Sequence, residues 1–94
     1  MDAEKIIQYV DEVKPNAFSS EVKMRWIEEL TDMIRRECPG PVPEGWDKLY
    51  YSYLEARVDA ANREWTEYAN SLQIFNDFYD EYKIWWAREF VDRR

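Results

Sequence analysis

The side chains in this chain that suggest chemistry are carboxylates at helical spacing. Glu28 and Asp32, Glu55 and Asp59, and Asp77 and Glu81 each stand at i,i+4, with Asp80 beside the last pair. On a helix, residues four apart share a face. Two carboxylates placed so can take a divalent cation or work as an acid and base. The partners that usually complete such sites are missing. The 94 residues hold no histidine, one cysteine and two glycines. Without histidine, no Ser–His or Cys–His nucleophile pair can be assembled within the chain. Helical di-metal sites add a histidine three residues after a glutamate. One cysteine makes no disulfide framework, and Gly40 and Gly45 make no phosphate-binding loop. The expectation is a non-enzymatic protein with no cofactor and no metal, whose carboxylates form solvated acidic faces.

Charge narrows the partners. Thirteen basic and twenty acidic residues give a net charge of −7. Phosphate neutralisation needs a basic patch, so sequence-specific nucleic-acid binding is not expected. An anionic membrane surface is a poor partner for the same reason. The basic doublets Arg35-Arg36 and Arg93-Arg94 read as last-turn cations that complement helix dipoles. No apolar run is long enough to span a bilayer, and no basic-then-apolar leader pattern opens the chain. Together with the lone Cys38, this points to a cytoplasmic protein. The aromatic content is 17%, with five Trp, seven Tyr and four Phe. Tyr and Trp suit both small cores and interfaces, where one end is apolar and the other wet.

The pattern reads as all-α, a single domain over 1–94, with three to four helices at about 3–14, 20–37, 47–69 and 71–92. Asp2 is placed to cap the first helix, whose face is Ile6, Ile7, Val10 and Val13. Pro15 ends it, because the residue before a proline avoids the helical region. Ser19 or Ser20 caps the second helix, with Ser20 preferred. Its apolar face is Val22, Trp26, Ile27, Leu30, Met33 and Ile34. Three prolines between Pro39 and Pro43 forbid helix there. Asp47 is the expected cap of the third helix.

From Leu54 to Trp86 one seam runs without a miss: Leu54, Val58, Ala61, Trp65, Tyr68, Leu72, Phe75, Tyr79, Tyr82 and Trp86, at steps of four and three. One straight helix from 47 to 92 would be about 69 Å long, too long for a compact domain of this size. So the last two helices are either one long or bent helix, or an antiparallel pair. The preferred break is Asn70-Ser71, where Asn70 and Gln73 resemble a capping box. Asn62 then sits inside a helix and fixes register through an inter-helix hydrogen bond. Trp86 continues the seam into the core. Trp85 points about 100° away and is a candidate interface contact, beside Tyr82, Lys83 and Glu89. Phe78, off the seam, and Phe90, one turn beyond Trp86, are candidates of the same kind.

Two blocks carry a family resemblance. The first is Ile6-Ile7-Gln8-Tyr9-Val10, then Lys14-Pro15-Asn16-Ala17-Phe18 and Val22-Lys23-Met24-Arg25-Trp26. The second is Leu49-Tyr50, Tyr53-Leu54-Glu55-Ala56, Asp59-Ala60-Ala61-Asn62, Glu64, Tyr68, Asn70-Ser71 and Phe75-Asn76. In order and spacing they resemble the head–tail connector, or head-completion, proteins of tailed phages and prophages. The chain departs from that pattern in a shorter segment before Trp46 and in Arg63, where relatives often have Gly. The second departure suggests a stiffer helix here. The resemblance implies a structural subunit that forms a homo-oligomeric ring between portal and tail and contacts portal and tail-side connector proteins. It also implies a location in the bacterial host cytoplasm, and in the virion if the phage is active. The alternative is a small cytoplasmic helical protein-binding module acting as monomer or dimer.

Overall fold

Capping and proline set where the helices begin and end. The computed structural model describes residues 1–91. It contains four helices, α1 (Ala3–Val13), α2 (Ser20–Glu37), α3 (Asp47–Ala61) and α4 (Trp65–Phe90), and no strand among the described residues. The expected all-α bundle is therefore the architecture. Asp2 caps α1, its carboxylate accepting from the Glu4 and Lys5 amides at 3.1 and 3.3 Å. Two orphan N–H groups of the first turn are satisfied that way. α1 stops at Lys14, as Pro15 requires. Asn16 then organises the turn. Its side-chain oxygen accepts from the Phe18 amide at 3.1 Å, and its amide donates to the Lys14 carbonyl at 3.1 Å. Ser19 caps α2, its hydroxyl accepting from the Val22 amide at 3.2 Å. Ser20 is instead the first helical residue, which corrects the preference for Ser20 as the cap. Arg35 and Arg36 occupy the last turn of α2, where cations favour the dipole.

α3 is the central element. Leu49, Tyr50, Leu54, Ala56 and Val58 are buried, and so are Ser52 and Asp59. These residues surround the helix rather than lining one side. α1, α2 and α4 all pack on α3, so a single-face pattern does not describe it. Asp47 is its first residue and Trp46 holds the cap position, with no side-chain cap bond. Asp47 therefore places a negative charge in the first turn but caps nothing.

The break between the last two helices falls at residues 62–64, not at Asn70-Ser71. Asn62 is the exposed C-cap of α3 and fixes no register. Arg63 has φ 56°, the left-handed region. The Arg63 and Glu64 amides donate to the Ala60 and Asp59 carbonyls at 3.1 and 2.9 Å, closing the helix end. Arg63 is thus a turn residue rather than one that stiffens a helix. Asn70 is an exposed residue within α4, and Gln73 donates to Asp77 at 2.9 Å instead of joining a capping box. Ala61 and Trp65, two members of the expected seam, lie exposed at the turn. Phe75, Tyr79 and Tyr82 are buried as that seam requires, while Tyr68, Leu72 and Trp86 are half-buried. The expected end near 92 and the Arg93-Arg94 doublet lie outside the described residues.

α4 runs antiparallel to α3, because Asp59 meets Ser71 near one end and Lys48 meets Glu81 near the other. Twenty-six residues make α4 about 39 Å long against about 22 Å for α3. The excess lies beyond Tyr82 and gives a molecule of 47 × 26 × 19 Å. One hydrophobic cluster joins all four helices, centred on Ile6, Val10, Leu30, Ile34, Leu49, Leu54 and Val58.

Candidate functional site

Beyond α3, the C-terminal part of α4 packs on the proline-rich connection. Trp86 donates its indole N–H to the Pro39 carbonyl at 3.0 Å. Trp46, just before α3, meets Tyr82 edge-on at 5.0 Å and Trp85 at 5.8 Å. Trp85 also contacts Tyr82 at 5.5 Å and Phe90 at 6.0 Å, and Trp86 contacts Phe90 at 5.8 Å. The structure therefore brings Trp85 and Phe90 into one aromatic cluster at the end of the molecule. Both Trp85 and Trp86 are half-buried, so the two indoles divide between packing and exposure. Phe90 is 56% exposed; Ile84, six residues earlier, and Val91, next to it in sequence, are 54% and 43% exposed. Phe78 is elsewhere, half-buried on the flank of α4, with the Lys48 ammonium 4.9 Å from its ring centre. That cation–π contact and the Lys48–Glu81 ion pair at 2.9 Å bind Phe78 into the α3–α4 contact.

The carboxylates fall into two groups. Glu28, Asp32, Asp77 and Glu81 are exposed, as a solvated face requires. Glu55 and Asp59 face inward. Asp59 is 1% exposed and accepts from the Lys14 ammonium at 2.6 Å and the Ser71 hydroxyl at 2.7 Å. Three helical segments meet there: the end of α1, α3 and α4. Glu55, one turn earlier on α3, is half-buried. Burial raises its pKa and Asp59 adds to the rise, while Lys14 opposes it. Asp59 is buried, with the partly exposed Lys14 as its counter-charge. Among the described residues no group of three or more His, Cys, Asp or Glu is placed to hold a metal ion.

Two further polar contacts hold α2. Lys23 is 3% exposed and donates to Asp11 at 2.7 Å and to Asn16 at 3.3 Å. Tyr79 donates to Glu37 at 2.9 Å, and burial followed by that carboxylate pushes its phenol pKa up. Cys38 is buried beside it, and burial followed by Glu37 raises its thiol pKa. Sequence reasoning missed these contacts. Asp59 lies 45 residues from Lys14 and Glu37 lies 42 from Tyr79, and local spacing carries no sign of pairs that distant.

The chain matches no family model, no curated protein and no solved structure. No helix among the described residues is long and apolar enough to cross a membrane.

Proposed function

We propose that this chain is a non-enzymatic structural protein of a tailed phage or prophage, a head–tail connector subunit that assembles as a ring between portal and tail. The observation that carries the reading is the end of α4, where exposed Ile84, Phe90 and Val91 accompany the half-buried Trp85 and Trp86. Clustered exposed apolar side chains are characteristic of a surface that meets another protein. The order and spacing of the two sequence blocks add the choice of family. The inward carboxylate Asp59 is buried and paired with Lys14, which supports a scaffold rather than a catalyst. A chain with net charge −7 lets DNA pass along a ring without gripping it. Its location is the host cytoplasm, and the virion when the phage is active.

The test is co-expression with the portal protein encoded in the same genome, followed by electron microscopy of the purified complex. A ring of this chain seated on the portal is expected. A portal that purifies bare, with the chain soluble and folded alongside it, overturns the reading.

One observation favours a second reading. The aromatic seam of α4 is satisfied within the chain, with Phe75, Tyr79 and Tyr82 at most 6% exposed. The fold therefore needs no partner helix, as suits a small protein-binding module acting as monomer or dimer. A stable one-to-one complex with a regulatory protein, without ring formation, decides for that alternative.

A further inference from the structure

The apolar seam does not stop at the turn between α3 and α4. Leu54, Val58, Ala61, Trp65, Tyr68 and Leu72 keep heptad spacing straight across residues 62–64. In a hairpin the phase of the second helix is independent of the first, because the turn resets it. A phase kept through the turn is what one continuous helix needs to hold its apolar stripe on one side. The turn itself offers little resistance to such a helix. No glycine or proline lies beyond Gly45. Arg63 stands at φ 56°, which is unfavourable for every residue except glycine, and Glu64 makes no side-chain cap bond at the start of α4. Among the described residues α4 packs closely against α3 and no other helix, so it can leave as one unit.

The hairpin's own contacts say what would take its place. Asp59–Ser71, Tyr53–Phe75 and Lys48–Glu81 have midpoints at residues 65, 64 and 64.5. Two straightened chains that keep these pairs between them would be related by a two-fold axis beside Trp65, itself a seam residue. Trp65 is 61% exposed in the hairpin. Across that axis it would meet its own counterpart, with the exposed Ala61 alongside.

We propose that two copies of this chain exchange α4: α3 and α4 straighten into one helix over residues 47–90, and the α4 of each copy packs on the α3 of the other. Each α3 is then covered by the segment that already fits it, so no new complementarity is required. The continuous helix would be about 66 Å long. The Tyr79–Glu37 and Trp86–Pro39 hydrogen bonds re-form between copies. Short hinges under strain favour exchange of this kind. It needs neither ring nor portal, and so stands apart from the connector reading.

Refolding from urea at high and at low chain concentration, followed by sedimentation velocity, tests the exchange. A dimer should form at high concentration and persist after dilution, because leaving it requires the helix pair to open. In dimers refolded from equal parts of carbon-13-labelled and unlabelled chains, nuclear Overhauser contacts between the Tyr53 and Phe75 rings should cross from one chain to the other. Arg63→Gly suits the left-handed turn and weakens a helix interior, so it should weaken the dimer at least tenfold (about 1.4 kcal/mol). Asn62→Ala places a better helix former at the hinge and should strengthen the dimer several-fold. Both residues are exposed, and circular dichroism checks that both variants keep full helicity. A chain that stays monomeric after refolding at high concentration overturns the proposal. A dimer whose Tyr53–Phe75 contacts remain within each chain overturns it in favour of intact hairpins meeting face to face. An Arg63→Gly dimer as stable as the parent's overturns it as well.

Discussion

At the scale of single residues, three side chains are held against their own preference. Arg63 sits at φ 56°, a conformation that costs a non-glycine residue about 1–2 kcal/mol. Glycine relieves that strain but adds freedom to the unfolded chain. Arg63→Gly should therefore stabilise the fold by about 0.5 kcal/mol, read from the urea midpoint at unchanged m-value. A loss of stability would mean that the arginine side chain holds the turn. Asp59 is buried with Lys14 as its counter-charge. Lys14→Met removes the cation and leaves the carboxylate stranded, which should cost about 3 kcal/mol in the same measurement. Adding Asp59→Leu should recover most of that loss, since an apolar replacement of the pair removes the stranded charge. Glu55 tests the sign of a pKa shift. Its carboxyl is raised above its usual 4.5, so the folded state holds the proton longer than the unfolded one. That contribution is complete below the unfolded pKa and is lost as pH rises through the folded value. Glu55→Gln cannot ionise. Its melting temperature relative to the parent should therefore rise between pH 4 and pH 7. A flat difference across that range would mean that Lys14 fully compensates the buried charge.

At the scale of helices, legibility followed from how local each cause was. Asp2, Pro15 and the three linker prolines act on their immediate neighbours, so the ends of α1 and α2 could be placed from the sequence. The α3–α4 turn could not. Ala61 and Trp65 stand at seam spacing yet lie exposed on either side of it, so the periodic pattern passes straight through the break. The residue that turns the chain is an arginine, which announces no left-handed conformation. Asn70 offers the opposite error, a capping residue in the interior of an unbroken helix. The placement makes a quantitative distinction. Asn70 is exposed within α4, so Asn70→Ala should stabilise by roughly 0.5 kcal/mol through helix propensity. Loss of a true N-cap would instead cost about 1 kcal/mol. The sign of the change in urea midpoint separates the two. Of the candidate contacts, Trp85 and Phe90 stand out by their off-seam positions and do share one cluster. Asp59 and Lys14 escape notice because each has an ordinary local explanation, and only the tertiary fold joins them.

At the scale of the whole molecule, stability should fall along the long axis. α3 is enclosed by the other three helices, and its amides are released only when the bundle opens. α4 shares that protection as far as Tyr82, where α3 begins. Beyond it, the helix rests on the residue 38–46 connection through the Trp86–Pro39 hydrogen bond and the ring contacts of Trp46. Few buried apolar contacts and an exposed flank are the marks of a segment that opens below the global free energy. Amides of Lys83 to Phe90 should therefore exchange on the order of a hundredfold faster than those of Leu49 to Val58 in a dilute monomer, a gap of roughly 2.7 kcal/mol. Equal protection would mean that the linker anchors the end as firmly as the core.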